Sequence, residues 1–298
     1  MGWILGLIGL YLVVLVAVGY ASVHPFRTPI FLSPGALGSP QESFELTNDT
    51  GKTLRAWWVP GESGAPVVIF AHGYMMNRSE PSPIAHWLRT HGLQGFLFDF
   101  PGHGRSSRSR CGLGWTERDD IRRAIDWVRI QSPGSPIILW GSSMGAAASA
   151  FAAAERPDDV RALILDSSYS RMLDAIDGWW SFLGGSFFRI FFAPLKWCGR
   201  LLVGFPPRIA DVGEALAKIP QIPVLNLHGD ADTLATPDQA IRNQSFSAHP
   251  QSRLVWFPGC DHAMGRYEHP ELYRTSVREF LEQNDLWPQT SETFTSSR

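Results

Sequence analysis

The chain has 298 residues, of which 44% are hydrophobic and 18% charged, with a formal net charge of −2. That composition describes a globular protein with a large core and excludes an intrinsically disordered one. Basic residues are scattered singly, so there is no electrostatic footprint for nucleic acid, and Cys111, Cys198 and Cys260 are too far apart in sequence to form a disulfide framework or a zinc pattern.

Residues 1–23 open the chain with an uncharged apolar stretch, Gly2 to Val23. Its length matches the roughly 20 residues that a helix needs to cross a bilayer. An uncleaved N-terminal transmembrane anchor is expected, because no Lys or Arg precedes the stretch as a signal peptide would require. Cleavage after Gly19-Tyr20-Ala21 is the alternative. Arg27, the one strong charge nearby, favours a cytoplasmic bulk domain by the positive-inside rule but leaves the side of the membrane open. Residues 24–41 are rich in Pro, Gly and Ser and predict a linker.

From residue 42 to 286 the pattern changes. Ser43–Leu46 and Leu54–Val59 flank Asn48-Asp49-Thr50-Gly51, a hairpin turn signal. Apolar runs suited to buried strands follow at Pro66–Ala71, Gly95–Asp99, Pro136–Trp140, Arg161–Asp166, Pro223–Leu227 and Arg253–Phe257. Helical patterns lie between most of them: Ser82–His91, Thr116–Gln131, Met144–Ala154, Asp238–Phe246 and His269–Asn284. This alternation predicts an α/β fold with a mostly parallel twisted sheet of about eight strands and helices on both faces. Residues 169–220 break the alternation. They hold no strand candidate but a dense run of large apolar side chains, Phe187-Phe188 and Ile190-Phe191-Phe192 among them. More apolar surface than one buried helix face needs predicts a helical cap inserted over the active site or against lipid. Residues 287–298 predict a disordered tail.

The chemistry is concentrated at Gly141-Ser142-Ser143-Met144-Gly145, between an apolar strand and a small-residue helix. Strand, G-x-S-x-G and helix in that order form a nucleophile elbow, where a strained serine presents Oγ at the apex of a tight turn. A serine hydroxyl needs a base, and the base needs an orienting acid. In a parallel sheet both belong on loops at the carboxyl ends of strands. Asp232 in His228-Gly229-Asp230-Ala231-Asp232 and His262 in Pro258-Gly259-Cys260-Asp261-His262 occupy such loops. Ser143, Asp232 and His262 then follow the Ser…Asp…His chain order. Asp166, at the end of the strand after the elbow, competes for the acid role. Met144 N–H, next after the serine, is expected to be one oxyanion donor, and a second belongs on the loop after Pro66–Ala71, where Gly73 permits close approach. Asp99 to Ser106 contains a histidine and an acid, but Pro101, Gly102 and Gly104 make it a turn.

With His72-Gly73, Asn77-Arg78, the Asp99–Ser106 turn, the elbow, His228–Asp232 and Gly259-Cys260-Asp261-His262 in order, the chain resembles an α/β-hydrolase of the serine-hydrolase type. It is similar to membrane-anchored members described as serine-aminopeptidase-like or BEM46/ABHD-type hydrolases. The resemblance covers roughly Phe44 to Leu286 and implies an α/β-hydrolase fold with a Ser143–His262–Asp232 triad and Tyr74 as the second oxyanion donor. It implies acyl transfer to water from an ester, thioester or amide. The anchor and the aromatic insertion point to a small-molecule or lipid-like acyl substrate. No metal or organic cofactor is expected, since His72, His103, His228 and Asp232 lack ligand spacing and no phosphate-cradling glycine motif is present. An aminopeptidase or acyltransferase remains open within the enzyme class, and a catalytically silent membrane scaffold or binding module outside it.

Overall fold

A computed structural model describes residues 2–288. Its centre is an eight-stranded sheet: β1 (Glu42–Thr47), β2 (Thr53–Val59), β3 (Val67–Ala71), β4 (Gln94–Phe98), β5 (Ile137–Ser142), β6 (Ala162–Asp166), β7 (Val224–Gly229) and β8 (Arg253–Phe257), in the order β1-β2-β4-β3-β5-β6-β7-β8. β1 and β2 run antiparallel to their neighbours, and every pairing from β4 to β8 is parallel. The sheet is therefore mostly parallel, as expected, with β1 and β2 flanking the hairpin turn and β3 to β8 each falling on its apolar run.

The period of two in a strand decides which helices it meets. In β3, Val67 and Ile69 join the core beneath α3 (Glu117–Gln131) and α4 (Met144–Glu155), while Val68 and Phe70 join the core beneath α2 (Ser82–Arg89) and α11 (Pro270–Gln283). All four are buried, which is why the strand reads as a continuous apolar run. Each such side chain contributes about 1.5–3 kcal/mol by leaving water. Parallel crossovers through these helices place the carboxyl ends of β3, β5, β6, β7 and β8 on one edge. The expected last helix, His269–Asn284, is α11, opened by Pro270, and a short α10 (Gly265–Glu268) that the sequence did not predict precedes it.

The interval after β6 divides in two. α5 (Met172–Phe191), α6 (Ala193–Trp197) and α7 (Gly199–Val203) form the insertion. Within α5, Gly185 takes φ 61° and ψ −156°, a region open essentially to glycine alone, and the helix breaks there. α8 (Val212–Leu216) returns to the main body, where Val212 and Leu216 pack in the same core as α4. It is the crossover helix into β7, so the projecting part ends near residue 204. α9 (Pro237–Phe246) then connects β7 to β8.

The N-terminal apolar stretch is one helix, α1 (Gly2–Val23). Residues 24–41 were expected to be a linker, yet they lie along the domain. Arg27 donates to the Gly104 and Ser106 carbonyl oxygens, Thr28 Oγ1 to Met75 O, and Asn77 Nδ2 to the Thr28 and Pro29 carbonyls. Composition cannot reveal such pairing, because the partners come from distant loops. At the other end Trp287, expected within the disordered tail of residues 287–298, packs against Trp87, while residues 289–298 of that tail lie outside the described residues.

Candidate active site

Ser143 sits between β5 and α4 with φ 51° and ψ −114°, a conformation costly for a non-glycine residue and held only by its surroundings. Its flanks explain how the turn closes. A Cβ on Gly141 would overlap the backbone at Gly145–Ala146, and one on Gly145 would overlap the Ala71 carbonyl of β3. Ser143 N–H donates to Asp166 O at 2.8 Å, tying the apex to β6. The elbow anticipated from G-x-S-x-G is thus a steric device in which both glycines let backbones touch.

His262 bridges the serine and an acid. Its Nε2 lies 2.8 Å from Ser143 Oγ and its Nδ1 2.8 Å from Asp232 Oδ2. The Asp232 side chain is buried, and its other oxygen accepts the Leu234 and Ala235 N–H groups at 2.9 and 2.8 Å. With an ionised Asp232 accepting at Nδ1, the proton of neutral His262 belongs on Nδ1, leaving Nε2 free to accept from the serine. The other nearby acids are engaged elsewhere. Asp230 accepts Gly259 N–H at 2.6 Å, and Asp261 accepts the Thr233 and His262 amides. Asp166 accepts the Tyr273 hydroxyl at 2.8 Å, lies 3.8 Å from Arg266, and makes no hydrogen bond to His262.

Two amides flank the serine without an internal acceptor. Among the described residues, neither Tyr74 N–H nor Met144 N–H donates a hydrogen bond. Gly73 N–H does donate, to Glu80 Oε2 at 2.8 Å. The Tyr74 hydroxyl donates to Ser22 O of α1 at 2.9 Å, and its ring meets Trp179 edge-on. These residues border a cavity of about 370 Å³ whose walls include Ile176, Trp179 and Trp180 of α5.

Local sequence does not signal the ion pair behind this wall. Arg266 Nη2 lies 2.5 Å from Glu80 Oε1 and 3.2 Å from Ser142 Oγ, with both charged groups nearly inaccessible. Burial works to raise the Glu80 pKa, but Arg266 and the Gly73 amide outweigh it and hold the carboxyl below its usual value. For Arg266, burial is likewise outweighed by Glu80 and Asp166, so its pKa is raised. The pair joins the loop carrying Tyr74 to the loop carrying His262 across 186 residues of sequence.

His72 fixes the first of those loops from behind. Its Nδ1 lies 2.8 Å from Gly73 O and its Nε2 accepts Phe100 N–H at 3.1 Å, so the neutral ring donates from Nδ1. Burial depresses the His72 pKa to about 4, and burial together with neighbouring His72 does the same for His103. Above the unfolded value of about 6.5 both states are neutral and stability is complete. Below it the unfolded chain binds protons that the folded chain refuses, so stability falls as pH drops from about 6.5 towards 4. Denaturation series across that window are expected to show uptake of up to about two protons on unfolding from these residues. His72→Gln should flatten the dependence by about one.

The comparisons agree with this architecture. A family model described as alpha/beta hydrolase fold matches residues 66–195. The YfhR protein of Escherichia coli K12 is 28% identical over 252 residues, covering 80% of this chain and 80% of its own. Protein bem46 of Schizosaccharomyces pombe is 23% identical over 230 residues, 74% of this chain and 69% of its own. The structure of the Pyrococcus furiosus esterase Pf2001 superimposes with a TM-score of 0.74 at 22% identity, covering 89% of this chain and 98% of that one. The chain has the α/β-hydrolase fold. In this hydrolase-fold protein the strand edge bearing Ser143, Asp232 and His262 is also the edge where open α/β sheets bind ligands.

Proposed function

We propose that this protein is a membrane-tethered serine hydrolase that cleaves a lipophilic ester, thioester or amide through an acyl-enzyme. The observation carrying the reading is the hydrogen-bond chain Asp232–His262–Ser143 at an apolar cavity. His262 Nε2 takes the hydroxyl proton as Ser143 Oγ attacks the acyl carbon, and Asp232 stabilises the imidazolium. The oxygen that becomes negative is received by the free Tyr74 and Met144 amides, each such donor supplying about 2.7–4 kcal/mol in typical cases. His262 then passes its proton to the departing alcohol, thiol or amine, whose bond to the acyl carbon breaks. A water deprotonated by the same imidazole attacks the acyl-serine, releasing the acid and restoring the hydroxyl. No step needs a metal or organic cofactor.

Glu80 is the one acid among the residues lining the cavity, and Arg266 and Gly73 N–H already engage it. An aminopeptidase needs an acid left over for the substrate ammonium, so the site favours an uncharged acyl substrate. α1 supports the tether. Twenty-two helical residues reach about 33 Å, enough for a hydrocarbon core of about 30 Å. Its Val23 O accepts Cys111 N–H at 2.7 Å and its Tyr11 hydroxyl donates to Phe191 O at 2.7 Å. Those attachments fit a helix retained in the mature chain better than a cleaved leader. Activity profiling over p-nitrophenyl esters of increasing length is expected to peak at medium or long chains. A response independent of chain length would remove the lipophilic assignment, and a well-folded protein unreactive towards a fluorophosphonate probe would remove the serine mechanism.

A further inference from the structure

α1 has two halves. Every residue from Gly2 to Leu10 is exposed, whereas Tyr11, Val14, Leu15, Val18, Gly19, Ser22 and Val23 are half-buried or buried. That spacing of three and four is one face of a helix; from Tyr11 to Gly19 it rests on the insertion, and Ser22 and Val23 meet Tyr74 and Cys111. Leu15 shares a cluster with Trp180, Phe192 and Leu195. Tyr11 packs edge-on against Phe191 with ring centroids 4.9 Å apart. Helix rise places Tyr11 about 12 Å before Gly19 along the axis, so the insertion accompanies α1 over most of one leaflet's share of a hydrocarbon core about 30 Å thick.

The rest of the insertion's surface suits that depth. Phe187, Ile190, Trp197 and Leu201 are 69–84% exposed. Between residues 178 and 204 the only charges are Arg189, Lys196 and Arg200, all basic. Lys196 pairs with Asp177, while Arg189 and Arg200 are exposed. Bare aromatic and aliphatic side chains mixed with arginines are the composition of a surface that enters a leaflet and meets anionic headgroups. A water-facing patch of this kind would be an aggregation hazard.

We infer that α5, α6 and α7 are embedded beside the C-terminal half of α1 in one leaflet of an anionic phospholipid bilayer, and that the cavity draws its substrate from that leaflet. Ser22, at the interfacial end of α1, lines the cavity with Ile176, Trp179 and Trp180 of α5. An amphipathic lipid ester entering between α1 and α5 would therefore bring its carbonyl to Ser143 at headgroup depth, with its tail still in apolar surroundings. The inference rests on α1 crossing the membrane and, for its substrate half, on the hydrolase reading.

Cys198 provides the test, because it is exposed while Cys111 and Cys260 are buried. Full-length protein carrying the environment-sensitive fluorophore NBD on Cys198 would be reconstituted into phosphatidylcholine–phosphatidylglycerol vesicles. A second sample would carry the fluorophore on Ala17→Cys in a Cys198→Ser background. Both labels are expected to shift to the blue and to be quenched by doxyl-labelled lipids. A quenched Ala17 label with a water-like Cys198 label would overturn the embedded insertion while leaving the tether intact; two water-like labels would overturn both. Trp197→Asp combined with Leu201→Asp is expected to move the Cys198 label into water. The same variant should lower hydrolysis of a vesicle-borne long-chain ester by about tenfold or more, as withdrawing two exposed apolar side chains from lipid implies, with soluble p-nitrophenyl acetate still cleaved at the original rate. Equal losses on both substrates would overturn the lateral route. The fluorescence arm reads out even for a protein that hydrolyses neither.

Discussion

Ser143→Ala is expected to lower kcat by about 10⁶-fold, the scale seen when a triad nucleophile is removed, and to leave a residual rate supported by the oxyanion donors and binding alone. The hydroxyl makes its single side-chain hydrogen bond to His262 Nε2, so its loss should alter the melting temperature little. Fluorophosphonate labelling should vanish in the same variant. The acid can be assigned in the same series. Asp232→Asn should cost about 10⁴-fold by favouring the wrong imidazole tautomer. Asp166→Asn should act mainly on stability, through Tyr273 and Arg266. If Asp166→Asn abolished turnover and Asp232→Asn spared it, the roles given to these two carboxylates would be wrong.

The second large effect concerns Glu80 and Arg266. Removing one partner of a buried ion pair strands the other, and such changes typically cost about 3–5 kcal/mol. Glu80→Ala and Arg266→Ala are each expected to destabilise the fold by that order in chemical denaturation. Replacing both together, Glu80→Leu with Arg266→Met, should recover part of the stability, since neither partner is left stranded by the other, while buried Asp166 still loses its contact with Arg266. Turnover should not recover with it. Gly73 N–H would still lack the acceptor that positions the Tyr74 amide, and the His262 loop would lose its link to Ser142 Oγ and Glu80. A double variant regaining both stability and kcat would reduce the pair to a packing element.

The sheet and the elbow were legible for different reasons. Strands buried on both faces are apolar throughout, so Pro66–Ala71 and Pro136–Trp140 stand out from their neighbours without any tertiary information. The elbow stands out because backbone contact at Gly141 and Gly145 excludes every side chain. Position on the strand-end loops led to Asp232 and His262. Choosing between Asp232 and Asp166 from residues alone was harder, since one ends a strand and the other follows the next strand by a few residues. The structure separates them by what each already binds: Asp232 has an oxygen for His262, and Asp166 turns to Tyr273 and Arg266.

The chain by itself determined its α/β alternation, the strained serine turn, the aromatic insertion and an apolar helix at its start, because each is written in the spacing of near neighbours. Tertiary structure alone decided that Glu80 meets Arg266, that residues 24–41 lie along the domain, and that α1 leans on the insertion and contributes Ser22 to the cavity wall. Local patterns follow from the fixed geometry of helix and strand, which repeats every few residues. Pairings between segments far apart in sequence depend on where the whole chain crosses itself, and no short stretch of sequence carries that information.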